Sequence, residues 1–139
     1  MTAPAVEDGE PAPPAVTFGD GLPGFPAARR FSLERWGGDD SPFSVLQSLD
    51  DEALRFVVVP PDTFFPDYAP VLDDGDADRL GLAEPEDAIV LVVVSLGERV
   101  EDATANLLGP VVVNRHTLAA AQVVLSGQDL PARRRLVNA

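Results

Sequence analysis

An all-β fold is what this sequence predicts: a single antiparallel, barrel-like β domain with one or two short helical turns. Three observations predict it. Short β-branched or alternating runs recur every roughly 8–12 residues with turn residues between them. One run, Ala88 to Leu96, is almost continuously aliphatic, as in a strand buried on both faces. Helical content is small, limited to short turns at Asp76 to Leu80 and around Glu84 to Asp87.

Taken in order, residues 1–15 read as a disordered arm. They are rich in Ala and Pro, carry Glu7, Asp8 and Glu10, and have too little apolar surface to offset the entropy of ordering. Order is expected from Val16, where Val16-Thr17-Phe18 alternates before Gly19. Pro23-Gly24 suits a type II turn, because Pro presets φ and Gly tolerates positive φ. Arg30 to Leu33 alternates again and breaks at Gly37-Gly38-Asp39-Asp40. Phe43 to Leu46 and Leu54 to Val59 form a strand pair across Gln47 to Ala53, and Pro60-Pro61 ends the second strand. Asp76 to Leu80 is one or two helical turns, with Asp73 or Asp74 as N-cap and Gly81 as stop. Glu84-Pro85-Glu86-Asp87 caps another turn before the long strand. Ala103 to Leu107, Val111 to Asn114 and Ala121 to Leu125 complete the set. The domain spans residues 16–131, followed by a basic tail, 132–139.

Charge narrows the function. The 139 residues hold 10 basic and 23 acidic groups, a net charge of −13. Phosphate backbones and anionic membranes attract Lys and Arg, so direct nucleic-acid or membrane binding is not expected. No stretch has the basic and apolar regions of a signal peptide or the ~20 apolar residues of a membrane helix, and a cytoplasmic location is expected. Arg133-Arg134-Arg135 suits a solvated end or a contact for an acidic partner.

Catalytic chemistry has little material. There is no Cys, His116 is the one His, and no Ser sits in a nucleophile elbow. Asp73-Asp74-Gly75-Asp76-Ala77-Asp78 is rich in oxygen ligands but fits a calcium loop in neither register: one puts Arg79 at the Gly position, the other Gly75 and Ala77 at ligand positions. Acids at a helix start explain it instead. Gly19-Asp20-Gly21-Leu22-Pro23-Gly24 has dinucleotide-loop spacing without the helix that would hold a pyrophosphate. No metal or cofactor is expected. A barrel enzyme working through paired carboxylates stays open as an alternative, although no motif selects the pair. Phe64-Phe65-Pro66-Asp67-Tyr68 is the unusual feature. Its aromatics follow a strand that Pro60-Pro61 has ended, so they serve either as interface anchors or to close one end of the barrel.

In sequence order these pieces resemble the flagellar assembly factor FliW family. The resemblance runs through Phe18-Gly19, Leu22-Pro23-Gly24-Phe25, Pro42-Phe43, Leu46-Gln47-Ser48-Leu49-Asp50-Asp51 and Phe56-Val57-Val58-Val59. It continues in Phe65-Pro66-Asp67-Tyr68-Ala69-Pro70, in Leu80-Gly81-Leu82 with Glu86-Asp87, and in Thr104-Ala105-Asn106-Leu107-Leu108-Gly109-Pro110-Val111-Val112-Val113-Asn114, with Gln122-Val123-Val124-Leu125 after it. It covers most of the chain from Val16 to Leu136, and the N-terminal arm has no counterpart in that pattern.

The resemblance implies a cytoplasmic, non-enzymatic binding protein, monomeric by default. Such proteins bind flagellin before export and bind the translational regulator CsrA, relieving its repression of flagellin mRNA. A flagellin-only role is the alternative. An acidic body fits a basic RNA-binding regulator, towards which it would be steered over a Debye length. The residues expected to contact partners are Gln47, Phe65, Asp67, Tyr68, Asn106 and Asn114. Phe65 and Tyr68 would supply anchor area, and Gln47 and Asn106 the hydrogen bonds that set register. Asn106 and Asn114 equally suit the satisfaction of backbone groups at strand ends.

Overall fold

A computed structural model describes residues 15–19, 28–37, 41–99, 102–125 and 129–136. Residues 1–14, the Pro23-Gly24 turn and most of the Gly-rich 19–24 segment lie outside them. The strands are β1 (Ala15–Phe18), β2 (Arg30–Arg35), β3 (Ser44–Ser48), β4 (Arg55–Val59), β5 (Ala88–Ser95), β6 (Thr104–Ala105), β7 (Val111–Asn114), β8 (Ala119–Gln122) and β9 (Arg134–Arg135). Among the described residues the one α-helix, α1, spans Asp74–Leu80. Short 3-10 turns lie at Pro61–Thr63 and Pro85–Asp87.

The sheet order is β4-β3-β2-β1-β8-β7-β5-β6-β9, and an extra β4–β5 pairing closes seven strands into a barrel. Val57, Val58 and Val59 pair with Val94, Val93 and Val92 at this closure. Every pairing is antiparallel except β1–β8, where Thr17 faces Ala119 and Phe18 faces Ala120 in parallel. Parity explains the exception: alternating directions around an odd-numbered ring must place two like-directed strands side by side. β6 and β9 extend the sheet past the ring from the far end of β5.

The long strand is buried on both faces, as its composition predicts. Leu91 points into the barrel with Val16, Phe18, Phe31, Leu46 and Val58, where Phe18 and Phe31 meet edge-on at 5.2 Å. Its neighbours Val92 and Val94 point outward under Phe65, Ala105 and Leu107. Val112 on β7 likewise points outward, against Leu80, Val123 and Leu125. The segment from Pro61 to Asp87 and the C-terminal stretch therefore act as an outer layer over β5–β7, burying apolar area that would otherwise face water.

Local chemistry ends the elements. Asp73 caps α1 by accepting from the Asp76 N–H at 2.8 Å, and Gly81 stops it with φ 70°. In the Pro85–Asp87 turn, Asp87 accepts from the N–H groups of Ala83 and Glu84.

Several strand boundaries differ from expectation, β2 for one running on to Arg35. β3 runs on through Gln47 and Ser48, because the Ser48 hydroxyl gathers the Asp50 and Asp51 N–H groups and delays the turn. β6 is only Thr104–Ala105, because the Asn106 side chain takes the N–H groups of Leu108 and Gly109. β8 begins at Ala119 rather than Ala121. Leu118, with φ 65°, turns the chain early and offers its carbonyl to Thr17 N–H. Beyond Gln122 the N–H groups of Val123 and Leu125 still donate to Pro110 and Leu108. No bonds return, since Pro110 has no N–H and Asn106 holds those of Leu108 and Gly109. The basic triplet has exposed side chains, yet the backbone of Arg134 and Arg135 forms β9, pairing with β6.

Candidate partner-binding site

Pro60 and Pro61 end β4 and launch a 3-10 turn, from which Phe65 N–H reaches back to Pro61 carbonyl at 2.7 Å. The chain turns again as Tyr68 N–H donates to Phe65 carbonyl. These turns lay the 64–68 loop across the outside of β5 and β6. The C-terminal segment crosses beside it, held by Leu107 N–H donating to Pro131 carbonyl and by β9. Between the two lies an open cup of about 420 Å³ lined by Phe64, Phe65, Asp67, Tyr68, Leu107 and Arg134, among others.

Each group in the cup is set by its neighbours. Phe65 is 92% covered by its own chain, with Val59, Val92 and Ala105 behind it. Tyr68 is partly buried, and its hydroxyl donates to Leu107 carbonyl at 2.6 Å. Burial pushes the Tyr68 phenol up to about 12, since the phenolate would lose its hydration. Asp67 and Asp129 are exposed at the rim. The Arg134 guanidinium lies over the Phe65 ring, 5.5 Å from its centroid. Aromatic rings continue away from the cup: Phe65 to Phe64 (6.3 Å), Phe64 to Phe43 (5.9 Å) and Phe43 to Trp36 (6.2 Å). Trp36 is 45% exposed.

The six residues expected to contact partners do not form one surface. Phe65, Asp67 and Tyr68 line the cup together. Asn106 adjoins it next to Leu107, with its Oδ1 accepting from Leu108 and Gly109 at 3.0 and 2.9 Å. Gln47 lies on β3, and its Nε2 stands within hydrogen-bond distance of the Ser48, Glu52 and Leu54 carbonyls, so it closes the β3–β4 loop. Asn114 is 97% buried and ties two elements together. Its Nδ2 donates to the carbonyls of Leu80 and Gly81 at the end of α1, and its Oδ1 accepts from the N–H groups of His116 and Thr117. The six expected contacts leave out Trp36, Leu107 and Arg134, the last being offered only within the basic triplet as a solvated end or a contact for an acidic partner. Trp36 carried a signal, as the sole tryptophan placed just before a Gly pair. Leu107 and Arg134 join the cup only through tertiary pairing.

Outside the cup, His116 Nε2 lies 3.0 Å from an Asp87 oxygen. The His116 hydrogen bond, together with the Glu84 and Ala83 N–H groups, holds the Asp87 carboxyl below its ordinary range. Asp50 is lowered similarly by the N–H groups of Arg30 and Arg29. A second concavity of about 380 Å³, mostly apolar, lies between α1 and the barrel, with Leu72, Leu82 and Val90 in its wall. Among the described residues, no group of three or more His, Asp or Glu is placed to hold a metal ion. No helix among them is long and apolar enough to cross a membrane.

Comparison with known proteins agrees with this architecture. The family model described as FliW protein matches residues 7–136, so the match starts within the N-terminal arm. The flagellar assembly factor FliW of Bacillus licheniformis is 41% identical over 110 residues, covering 79% of this chain and 76% of the relative. The protein of the same name from Bacillus subtilis strain 168 is 40% identical over the same length, with the same coverage. A crystal structure of the flagellar assembly factor FliW superposes with a TM-score of 0.85 at 33% identity, covering 90% of this chain and 86% of that one. With the family model spanning most of its length and its barrel shared with that crystal structure, the chain belongs to the FliW family.

Proposed function

We propose that this protein is a cytoplasmic flagellar assembly factor that works by binding rather than by catalysis. It binds flagellin as a chaperone-like partner and binds the translational regulator CsrA, relieving repression of flagellin mRNA. It acts as a monomer and touches neither nucleic acid nor membrane directly. The observation that carries the reading is the cup at 64–68. It is a concave, partly aromatic surface held by backbone hydrogen bonds, on a family member of net charge −13.

Preorganised aromatic area at such a site is retained on binding without a large ordering cost. The surrounding negative charge steers a basic regulator and accelerates encounter at low salt. The test is calorimetry of Asp67→Arg and Tyr68→Ala against flagellin and CsrA, with Leu49→Ser as the control on an exposed residue elsewhere. Affinity for at least one partner falls by about tenfold or more in the cup variants, as for a central anchor, and stays unchanged in the control. Folded cup variants that bind both partners at full strength overturn the placement of the site.

A further inference from the structure

We propose that the cup receives a cationic side chain of a partner, an arginine by preference, and that Arg134 holds its place in the free protein. This rests on the partner-binding reading of the cup given above. The cup already contains a guanidinium: Arg134 lies 5.5 Å from the Phe65 centroid, within cation–π range. Arg134 makes no ion pair with any described residue, so ring contact rather than a carboxylate holds it there.

The carboxylates that would complete a cation site are present and unused. Asp67 and Asp129 stand at the rim, exposed, and neither is ion-paired with a described residue. Tyr68 supplies a further ring, fixed by its bond to Leu107 carbonyl. An anionic ligand would meet Arg134 but also two carboxylates and the field of an acidic protein, so a cation is the better fit. Arginine is preferred over lysine because its planar guanidinium stacks on a ring while donating in-plane to carboxylates.

Arg134 is also built to leave. Its strand is two residues long, its backbone is secured by pairing with Ala105, and its side chain is exposed. The guanidinium can swing off Phe65 without unpairing β9. An incoming arginine gains the ring and the two carboxylates and displaces only the resident ring contact.

The experiment is an NMR titration of the isotope-labelled full chain with acetyl-Gly-Arg-Gly-amide. The matched citrulline peptide serves as the uncharged control. The arginine peptide is expected to move the amides of residues 64–68 and 129–134, and the citrulline peptide to leave them still. Arg134→Gln removes the resident cation and tightens the peptide about threefold, the scale of one exposed cation–π contact. Asp67→Asn and Asp129→Asn each weaken it about as much. Unmoved Leu46 and Val58 amides in each variant report an intact barrel. Equal shifts from the citrulline peptide, or an Arg134→Gln protein that binds the arginine peptide no better than wild type, overturn the proposal. Either result leaves the flagellin and CsrA reading standing, because that reading is tested separately through Asp67→Arg and Tyr68→Ala.

Discussion

The Tyr68 hydroxyl donates to the carbonyl of Leu107 at 2.6 Å, joining the aromatic loop after β4 to the segment that follows β6. This bond fixes one wall of the cup against the strand layer beneath it. Tyr68→Phe removes it while keeping the ring. A neutral hydrogen bond contributes about 1 kcal/mol net, and urea unfolding at pH 7 should show a loss of that order.

The same phenol gives a pH prediction. Its pKa in the folded state, about 12, lies above the usual 10. The folded protein therefore binds that proton more tightly, and the stability it contributes is intact below pH ~10 and lost as pH rises through the folded value. Tyr68 is the sole tyrosine, so absorbance titration of the phenolate reads it without overlap. A midpoint well above 10 is expected, followed by unfolding.

Asn114 serves four backbone groups from a buried position between α1 and the turn after β7. Asn114→Ala leaves several of them unsatisfied, at a cost of about 3 kcal/mol in total, given 1–3 for each buried orphan. Denaturant unfolding measures the loss. Under conditions where the variant remains folded, affinity for flagellin should be unchanged, because the side chain faces its own helix end.

Gly81 ends α1 with φ 70°. A Cβ there would meet only Asn114 Nδ2, at an ordinary 3.6 Å, so the cost of substitution is conformational. Gly81→Ala should lower stability by about 1 kcal/mol, and Gly81→Asn by less, since Asn tolerates this backbone region better. Thermal unfolding of the two variants side by side checks the order.

Acid sensitivity follows from Asp50 and Asp87, both held below the ordinary carboxyl value in the folded state. Groups lowered in this way contribute stability that is present above their unfolded pKa, about 3.9, and is lost as pH falls through the folded value. Asp50→Asn keeps an acceptor for the Arg29 and Arg30 N–H groups but removes the titration. Its unfolding midpoint should fall less steeply than the wild type's below pH ~4.

Features decided within a few residues were legible in the sequence. The Asp73 cap, the Gly81 stop and the β5 run each depend on neighbouring chemistry, and each lies where that chemistry points. The start of β8 was not legible, because it depends on Leu118 adopting positive φ, which an aliphatic residue rarely does. Its end depends on Pro110 and Asn106, which belong to the facing segment. At the candidate site, Phe64 to Tyr68 stood out because two prolines separate them from the strand. Leu107 and Arg134 reach the same cup through hydrogen bonds and strand pairing between segments far apart in sequence, which no local pattern encodes. Gln47 and Asn114 show the converse: polar side chains that look available in the sequence are engaged by carbonyls of their own fold.

Calorimetric titration of the wild-type protein with its own organism's flagellin, followed by addition of CsrA to the preformed complex, tests the central proposal most directly. Saturable one-to-one binding of flagellin is expected, with affinity falling by about tenfold or more in Tyr68→Ala, as for an anchor residue. A well-folded protein that gives no heat and no complex with flagellin would contradict it.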